Sequence, residues 1–415
     1  MKIEKYTIGM GDRFAQQGRA QLRAVMRARE LGINVHPVWN KSNREHTIIH
    51  SQPDDLRAEA DAAVAALGWK EACYVDADHI GLKTVDRFLQ ASNFFTLDVA
   101  DFVGKPSAGM ARFQKFIEKW GTEVRIPGMG RPLSLSPAAI EKSSAKFLQA
   151  MNEAGAIYRH ILAKKDNGDF VVEVSVDETD SPQTPDELFL ILAMLAMEEV
   201  PVQTIAPKFT GRFNKGVDYV GDLAQFEKEF GEDIAVLSFA VREFGLPESL
   251  KLSVHSGSDK FSLYPVINRL LKKHGCGLHV KTAGTTWLEE VIGLAESGGD
   301  GLSIARDIYK LAHGRYAELA APYATVIDVD PSRLPAVEEV MSWGPAVFSA
   351  ALRHDRNCPE YNPHFRQLIH VAFKVAAEMG PRFLAGLRDH REVICGNVTH
   401  NLLVRHIIPL FGPSV

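Results

Sequence analysis

The sequence predicts a TIM (β/α)8 barrel, an α/β fold, with a loop excursion after strand 4 and a C-terminal helical extension. Three observations predict it. Eight short segments rich in β-branched and aromatic residues recur as far as Thr282, each followed by a polar turn. Helical patterns lie between them, the alternation that builds a parallel sheet. Polar residues also gather at the C-terminal end of each segment, where barrels of this class carry their chemistry. A doubly wound open sheet is the rival, but eight units in succession favour closure.

Taken in order, strands are expected over 6–11, 33–39, 72–78 and 94–99, with helices over 20–31 and 54–67 between them. Residues 104–135 are rich in Gly and Pro and read as the loop excursion, carrying a short helix. A long helix follows over 137–163, with Pro137 in its first turn and Ser136 as N-cap. The fifth strand is expected over 170–177, then an apolar helix over 185–199 and the sixth strand over 202–206. An amphipathic helix over 222–244 leads to the seventh strand, 250–255, and a helix over 264–274 leads to the eighth, 278–282. Residues beyond Trp287 read as mostly helical. Residues 1–330 are therefore assigned to the catalytic barrel, and 331–415 to a helical extension packing on it.

Composition narrows the class. The 415 residues carry 47 Lys and Arg against 52 Asp and Glu, a formal charge of -5, and 46% are apolar. That is the balance of a soluble globular protein, with no basic footprint for nucleic acid. No run approaches the roughly 18 apolar residues of a membrane span. The charged start, Met1-Lys2-Ile3-Glu4-Lys5, lacks an apolar signal core, so a cytoplasmic location is expected. Cys73, Cys276, Cys358 and Cys395 lie far apart without a CxxC pair and read as buried free thiols. A small-molecule ligand fits this composition, and a homo-oligomer is compatible with it.

Strand parity locates the chemistry. Side chains alternate faces, and the outward face packs on helices. With Val172, Val174 and Val176 outward, Glu173, Ser175 and Asp177 face the barrel axis. Lys251, Ser253 and His255 point inward by the same rule, as do His279 and Lys281, while Asp76 and Asp78 share a face. An interior holding Asp78, Glu173, His255, His279 and Lys281 is costly unless its charges pair or bind a metal. A divalent-metal site and a satisfied Lys–Glu and His–Asp network both stand at this point. Lys41, Arg44, Lys208, Arg212, Lys215 and Lys260 fall in loops following strands and suggest an anionic substrate. His354, His364, His400 and His406 read as helix-surface and interface residues. Gly128-Met129-Gly130 and Gly298-Gly299-Asp300-Gly301 match no nucleotide-binding pattern and read as turns.

Several motifs together resemble the tagaturonate epimerase family of hexuronate catabolism. They are Gly9-Met10-Gly11-Asp12-Arg13-Phe14, Trp39-Asn40-Lys41-Ser42-Asn43-Arg44-Glu45-His46, Val75-Asp76-Ala77-Asp78-His79-Ile80 and Val172-Glu173-Val174-Ser175-Val176-Asp177-Glu178-Thr179. Further on come Ala206-Pro207-Lys208-Phe209-Thr210-Gly211-Arg212-Phe213, Val254-His255-Ser256-Gly257-Ser258-Asp259-Lys260 and His279-Val280-Lys281-Thr282-Ala283-Gly284-Thr285-Thr286-Trp287. A looser similarity, through Asp78-His79 and His255-Ser256, is to tagatose-bisphosphate aldolase-like barrels.

The resemblance implies interconversion of D-tagaturonate and D-fructuronate with a divalent metal such as zinc, manganese, cobalt or nickel. The inverted carbon bears a hydroxyl and lies β to the ketone, so simple enolisation does not reach it. Retro-aldol cleavage, rotation of the aldehyde and re-addition would serve, and metal-assisted abstraction of the carbon-bound proton is the second route. On this reading His79, His255 and His279 hold the metal, with Asp177 or Glu178 as further ligands. Asp78 and Glu173 act as the acid/base pair and Lys281 stabilises negative charge. Lys41, Lys208 and Arg212 hold the substrate carboxylate. The rival functions are a metal-dependent aldolase or isomerase of a phosphorylated sugar, and a non-catalytic sugar-binding subunit.

Overall fold

A computed structural model describes residues 1–165 and 168–413. Eight parallel strands close into a barrel: β1 (Tyr6–Gly11), β2 (His36–Ser42), β3 (Tyr74–Ile80), β4 (Phe94–Asp98), β5 (Val171–Ser175), β6 (Thr204–Ala206), β7 (Lys251–His255) and β8 (Leu278–Lys281). They neighbour one another in chain order, and β8 returns to pair with β1 through Thr7 opposite His279 and Gly9 opposite Lys281. This is the predicted fold, with one shift of consequence. β2 begins and ends three residues later than expected. Residues Ile33 and Val35 are instead buried in the turn that leaves the preceding helix, Gly18–Glu30.

The other elements follow their local signals. Ser42 and Glu45 form a capping box that starts a short helix, Asn43–Ile49, directly after β2. Ser136 accepts a hydrogen bond from the Ala139 N–H and opens the long helix Pro137–Lys164. The excursion after β4 holds the expected short helix, Met110–Ile117, and also a small antiparallel hairpin pairing Glu123–Val124 with Leu133–Ser134.

Parity divides the core in two. Outward residues such as Met10, Trp39, Ala77, Leu97, Val174, Val254 and Val280 pack under the helices in one continuous apolar layer. Inward residues are polar from the middle of the barrel upward. The N-terminal end is plugged by a separate apolar cluster of Ile3, Val38, Tyr74, Phe94 and Val171. Each large side chain fully buried in this way contributes roughly 1.5–3 kcal/mol. The plug shuts one end of the axis, so the polar interior opens only toward the C-terminal ends of the strands.

The helices beyond residue 331 pack back on the barrel through buried polar ties. Thr399 donates to the Ala20 carbonyl, Trp287 to the Ile369 carbonyl and Asn268 to the Leu410 carbonyl. Asp259, four residues beyond the last inward histidine of β7, is wholly buried. It faces Arg366 at 2.6 Å, His354 at 3.2 Å and His406 at 3.3 Å, and accepts from Thr285. His354 and His406 are therefore interface residues, buried on this carboxylate where the extension meets the barrel, and not helix-surface ones. The four cysteines are free, as expected, but only half-buried. Among the described residues no helix is long and apolar enough to cross a membrane.

Candidate active site at the barrel mouth

A backbone irregularity builds the site's first wall. The pairing of β3 with β4 slips between Ala77 and Ile80, and His79 lies in the left-handed region at φ 53°. In a regular strand Asp78 and His79 would point to opposite faces. The bulge turns His79 so that its Nδ1 sits 2.9 Å from Oδ1 of its neighbour Asp78, and both contribute to the same end of the axis. A non-glycine residue at positive φ costs energy of order 1 kcal/mol or more, and such strain concentrates at functional sites.

Below this wall lies an ion cluster centred on Lys281. Its Nζ is 2.8 Å from each of Asp76, Asp78 and Glu173, and 2.5 Å from Thr96 Oγ1. The side chain is 3% exposed. Room for it comes from Gly9 on β1, where an added Cβ would lie 2.9 Å from Lys281 Cγ and 3.3 Å from His279 Cε1. Burial alone would raise the carboxyls of Asp78 and Glu173. The Lys281 charge is the first force that reverses this, and both are held well below the ordinary range. Asp76, with less compensation for its burial, is pushed up to about 7. The three carboxylates in turn hold the Lys281 ammonium well above its usual value, against burial.

Above the cluster, two imidazoles flank one carboxylate. His255 places Nε2 2.8 Å from Glu173 Oε1 and Nδ1 3.1 Å from Asp177 Oδ2. His79, with Nδ1 fixed by Asp78, places Nε2 3.8 Å from Asp177 Oδ1. The rings stand at 62° to each other with centroids 5.1 Å apart. Each histidine thus gives one nitrogen to an interior carboxylate and turns the other to Asp177. Ser175 also donates to Asp177 and fixes its rotamer.

This arrangement fits a divalent cation. One ligand atom each from His79, Asp177 and His255 lies within 4.8 Å of the others. A carboxylate behind each imidazole sets the tautomer that leaves the other nitrogen free to coordinate. Two nitrogens and an oxygen form a donor set for a borderline transition metal. Charge points the same way. With the imidazoles neutral, Asp78, Glu173 and Asp177 against Lys281 leave a surplus of two negative charges, and Asp76 adds a third when ionised. Burial would lower both imidazoles, yet Asp177 and Glu173 hold His255 up at about 9, and Asp78 and Asp177 raise His79 well above its ordinary value. The site demands positive charge, which two protons or one dication can supply.

The remaining expected residues fall elsewhere. His279 faces the axis, but two residues deeper than Lys281, about 6–7 Å down the strand. Its Nδ1 pairs with Thr7 Oγ1 at 2.9 Å, its ring lies against Phe94, and burial pushes it down to about 3. It is not one of the three converging groups. Asp177 is the third group that converges with His79 and His255, while Glu178 is exposed. Glu173 lies below the mouth, in the interior cluster. Both its oxygens are taken, Oε1 by His255, Lys281 and Thr96 and Oε2 by Thr204, and it is fully buried.

The three expected carboxylate binders do not converge on the axis. Because β2 runs on to Ser42, Lys41 pairs with outward Ala77 and points between barrel and helices, donating to the Arg13 carbonyl and Ser51. Lys208 donates to the Thr179 carbonyl, tying two loops together. Arg212 is largely exposed and pairs with Asp328 at 2.8 Å. Asp76 and Thr96 belong to the site without having been singled out for a role. Parity alone could have found them, since both lie in step with inward neighbours.

Comparison with known proteins points to one family. A model of the tagaturonate epimerases matches residues 1–379. The chain is similar to a tagaturonate/fructuronate epimerase of Thermotoga maritima, 29% identical over 98% of this chain and 81% of that one. It is also similar to the native crystal structure of a fructuronate-tagaturonate epimerase from Cohnella laeviribosi, with a TM-score of 0.79 at 23% identity over 99% and 82% of the two chains. A glycerol complex of that enzyme gives a TM-score of 0.75 at the same identity over 97% and 82%.

Proposed function

The chain belongs to the tagaturonate epimerase family and is a carbohydrate epimerase, and from this we propose that it interconverts D-tagaturonate and D-fructuronate at the barrel mouth with a divalent cation held by His79, Asp177 and His255. The observation that carries the metal reading is the paired orientation of the two imidazoles, each braced by a carboxylate and turned to Asp177. Bound there, the cation would polarise the substrate ketone and stabilise an enediolate.

The chain's own residues supply the rest. Among the described residues both hydrogen bonds of Asp78 fall on Oδ1, from His79 and Lys281, leaving Oδ2 to take and return a proton. It removes the hydroxyl proton from the carbon to be inverted. The bond from that carbon to the carbon beside the ketone breaks, and its electron pair moves toward the ketone. The aldehyde so formed turns its other face, the bond re-forms, and Asp78 returns the proton to the new alkoxide. Lys281 keeps Asp78 ionised at neutral pH, and Glu173 positions His255 rather than moving a proton itself. The apolar plug at the far end keeps the fragments from escaping down the axis.

The test uses His255→Ala. Elemental analysis of the wild type should find a divalent metal, and the variant should lose both that metal and turnover. Full activity in the variant, or wild-type activity undiminished by exhaustive chelation, contradicts the metal reading. Following the wild-type reaction by NMR in deuterated water separates the routes. Retro-aldol chemistry leaves the inverted carbon without deuterium, whereas deuterium there requires abstraction of the carbon-bound proton.

A further inference from the structure

We propose that Arg44 and Lys215, set against the Tyr323 ring, and Arg13 beside them form the pocket at the barrel mouth that binds the substrate carboxylate. This rests on the epimerase reading above and gives the hexuronate a fixed direction in the site.

Four separate parts of the chain bring these groups together. Arg13 lies two residues past β1, and Arg44 is in the first turn of the capped helix after β2. Lys215 follows β6, and Tyr323 comes from the helical segment after the barrel. The Arg44 guanidinium lies 5.1 Å and the Lys215 Nζ 5.5 Å from the centroid of the Tyr323 ring, which is itself buried. Among the described residues neither Arg44 nor Lys215 has an ion-pair partner. Burial lowers the Lys215 ammonium first, and the charges of Arg44 and Arg13 lower it further, against the smaller opposing pull of Glu45 and Glu178. Arg44 and Lys215 therefore share one ring, and the charge of Arg13 is felt there.

Arg13 supplies the second, independent observation. It is 5% exposed, its Nε is held by Glu45 at 3.1 Å, and its guanidinium lies 4.5 Å from the Phe373 ring centroid. Its Nη1 is buried with no hydrogen-bond partner among the described residues. A buried donor left unmade costs about 1–3 kcal/mol, a penalty that a bound anion at this position would relieve. Glu45, the acid on Arg13, counters one of the three positive charges and also caps the Asn43–Ile49 helix, so the cations still outnumber the acid that pairs with them.

The pocket borders the loop that follows β7 and His255. Lys215 lies along Gly257, two residues past His255, where an added Cβ would be 3.9 Å from Lys215 Cγ. Two planar guanidinium forks and an ammonium suit a planar carboxylate, which accepts paired N–H bonds. The terminal carboxylate of a hexuronate would sit here while its ketone end reaches His79 and His255.

Kinetics of Arg44→Ala, Lys215→Ala and the double variant test this, with Arg44→Lys as the conservative control. KM for D-tagaturonate should rise about tenfold or more in each single variant and further in the double, since a charge-assisted bond accounts for at least that factor. The kcat should stay within a few-fold of wild type, Arg44→Lys should recover part of the loss, and preference over the neutral ketohexose should fall in step with KM. A double variant with KM within twofold of wild type overturns the proposal, as does a collapse of kcat at unchanged KM. If the wild type turns over no hexuronate, the epimerase reading fails while this one is decided by calorimetry. Tagaturonate binding lost in the double variant supports the pocket, and equal binding overturns it. Tighter binding of the ketohexose terminal phosphate than of the hexuronate overturns the assignment to a carboxylate.

Discussion

Replacing Lys281 with Met removes the one ammonium that holds three buried carboxylates together. At 2.8 Å, each contact has a Coulomb energy of about 6 kcal/mol for an effective dielectric near 20. Repulsion among Asp76, Asp78 and Glu173, and desolvation of the ammonium, offset much of that sum. Breaking a single buried pair typically costs about 3–5 kcal/mol, so a loss of at least that size is expected at pH 8. The pH dependence fixes the sign. In the wild type Asp78 and Glu173 have depressed folded values, so their stabilisation is present above their unfolded value of roughly 4 and is lost as pH falls through the folded values. Without Lys281 burial prevails, and the folded values rise above the unfolded one. The stabilisation is then full at low pH and lost as pH rises. Urea denaturation followed by circular dichroism at pH 8, 6.5 and 5 should therefore show a gap between variant and wild type that narrows with acidity. A gap under about 1 kcal/mol, or one that does not change with pH, would show that Lys281 does not organise this interior.

Two further substitutions probe what holds the site in place. Gly9→Ala puts a Cβ 2.9 Å from Lys281 Cγ; overpacking of this kind costs about 1–3 kcal/mol, and turnover should fall because Lys281 must move. Unchanged activity and melting temperature would mean the barrel accommodates the methyl and the fit is loose. Asp259→Asn leaves Arg366, wholly buried, without its counter-charge, so about 3–5 kcal/mol should be lost and limited proteolysis should release the region beyond 331 earlier than in wild type. An unaltered digestion pattern and unfolding midpoint would show that the extension is held by its apolar contacts alone.

The sequence by itself determined the eight strands, their parity and the polar character of the axis. Each is a local property: β-branched runs make strands, and a period of two sends alternate side chains to opposite faces. The inward positions of Glu173, Asp177, His255, His279 and Lys281 follow from that rule alone, and the motifs point to the family. Only the tertiary structure decided which inward residues meet. Parity does not give depth, and His279 shares its face with Lys281 yet lies a layer below, because height along the axis is set by the hydrogen-bond register between strands. His79 enters the site through a bulge that depends on how β3 pairs with β4. Lys41 left it because β2 runs three residues further than its local pattern suggests. The cationic pocket and the tie at Asp259 draw on residues hundreds of positions apart, so no stretch of sequence could show them as neighbours.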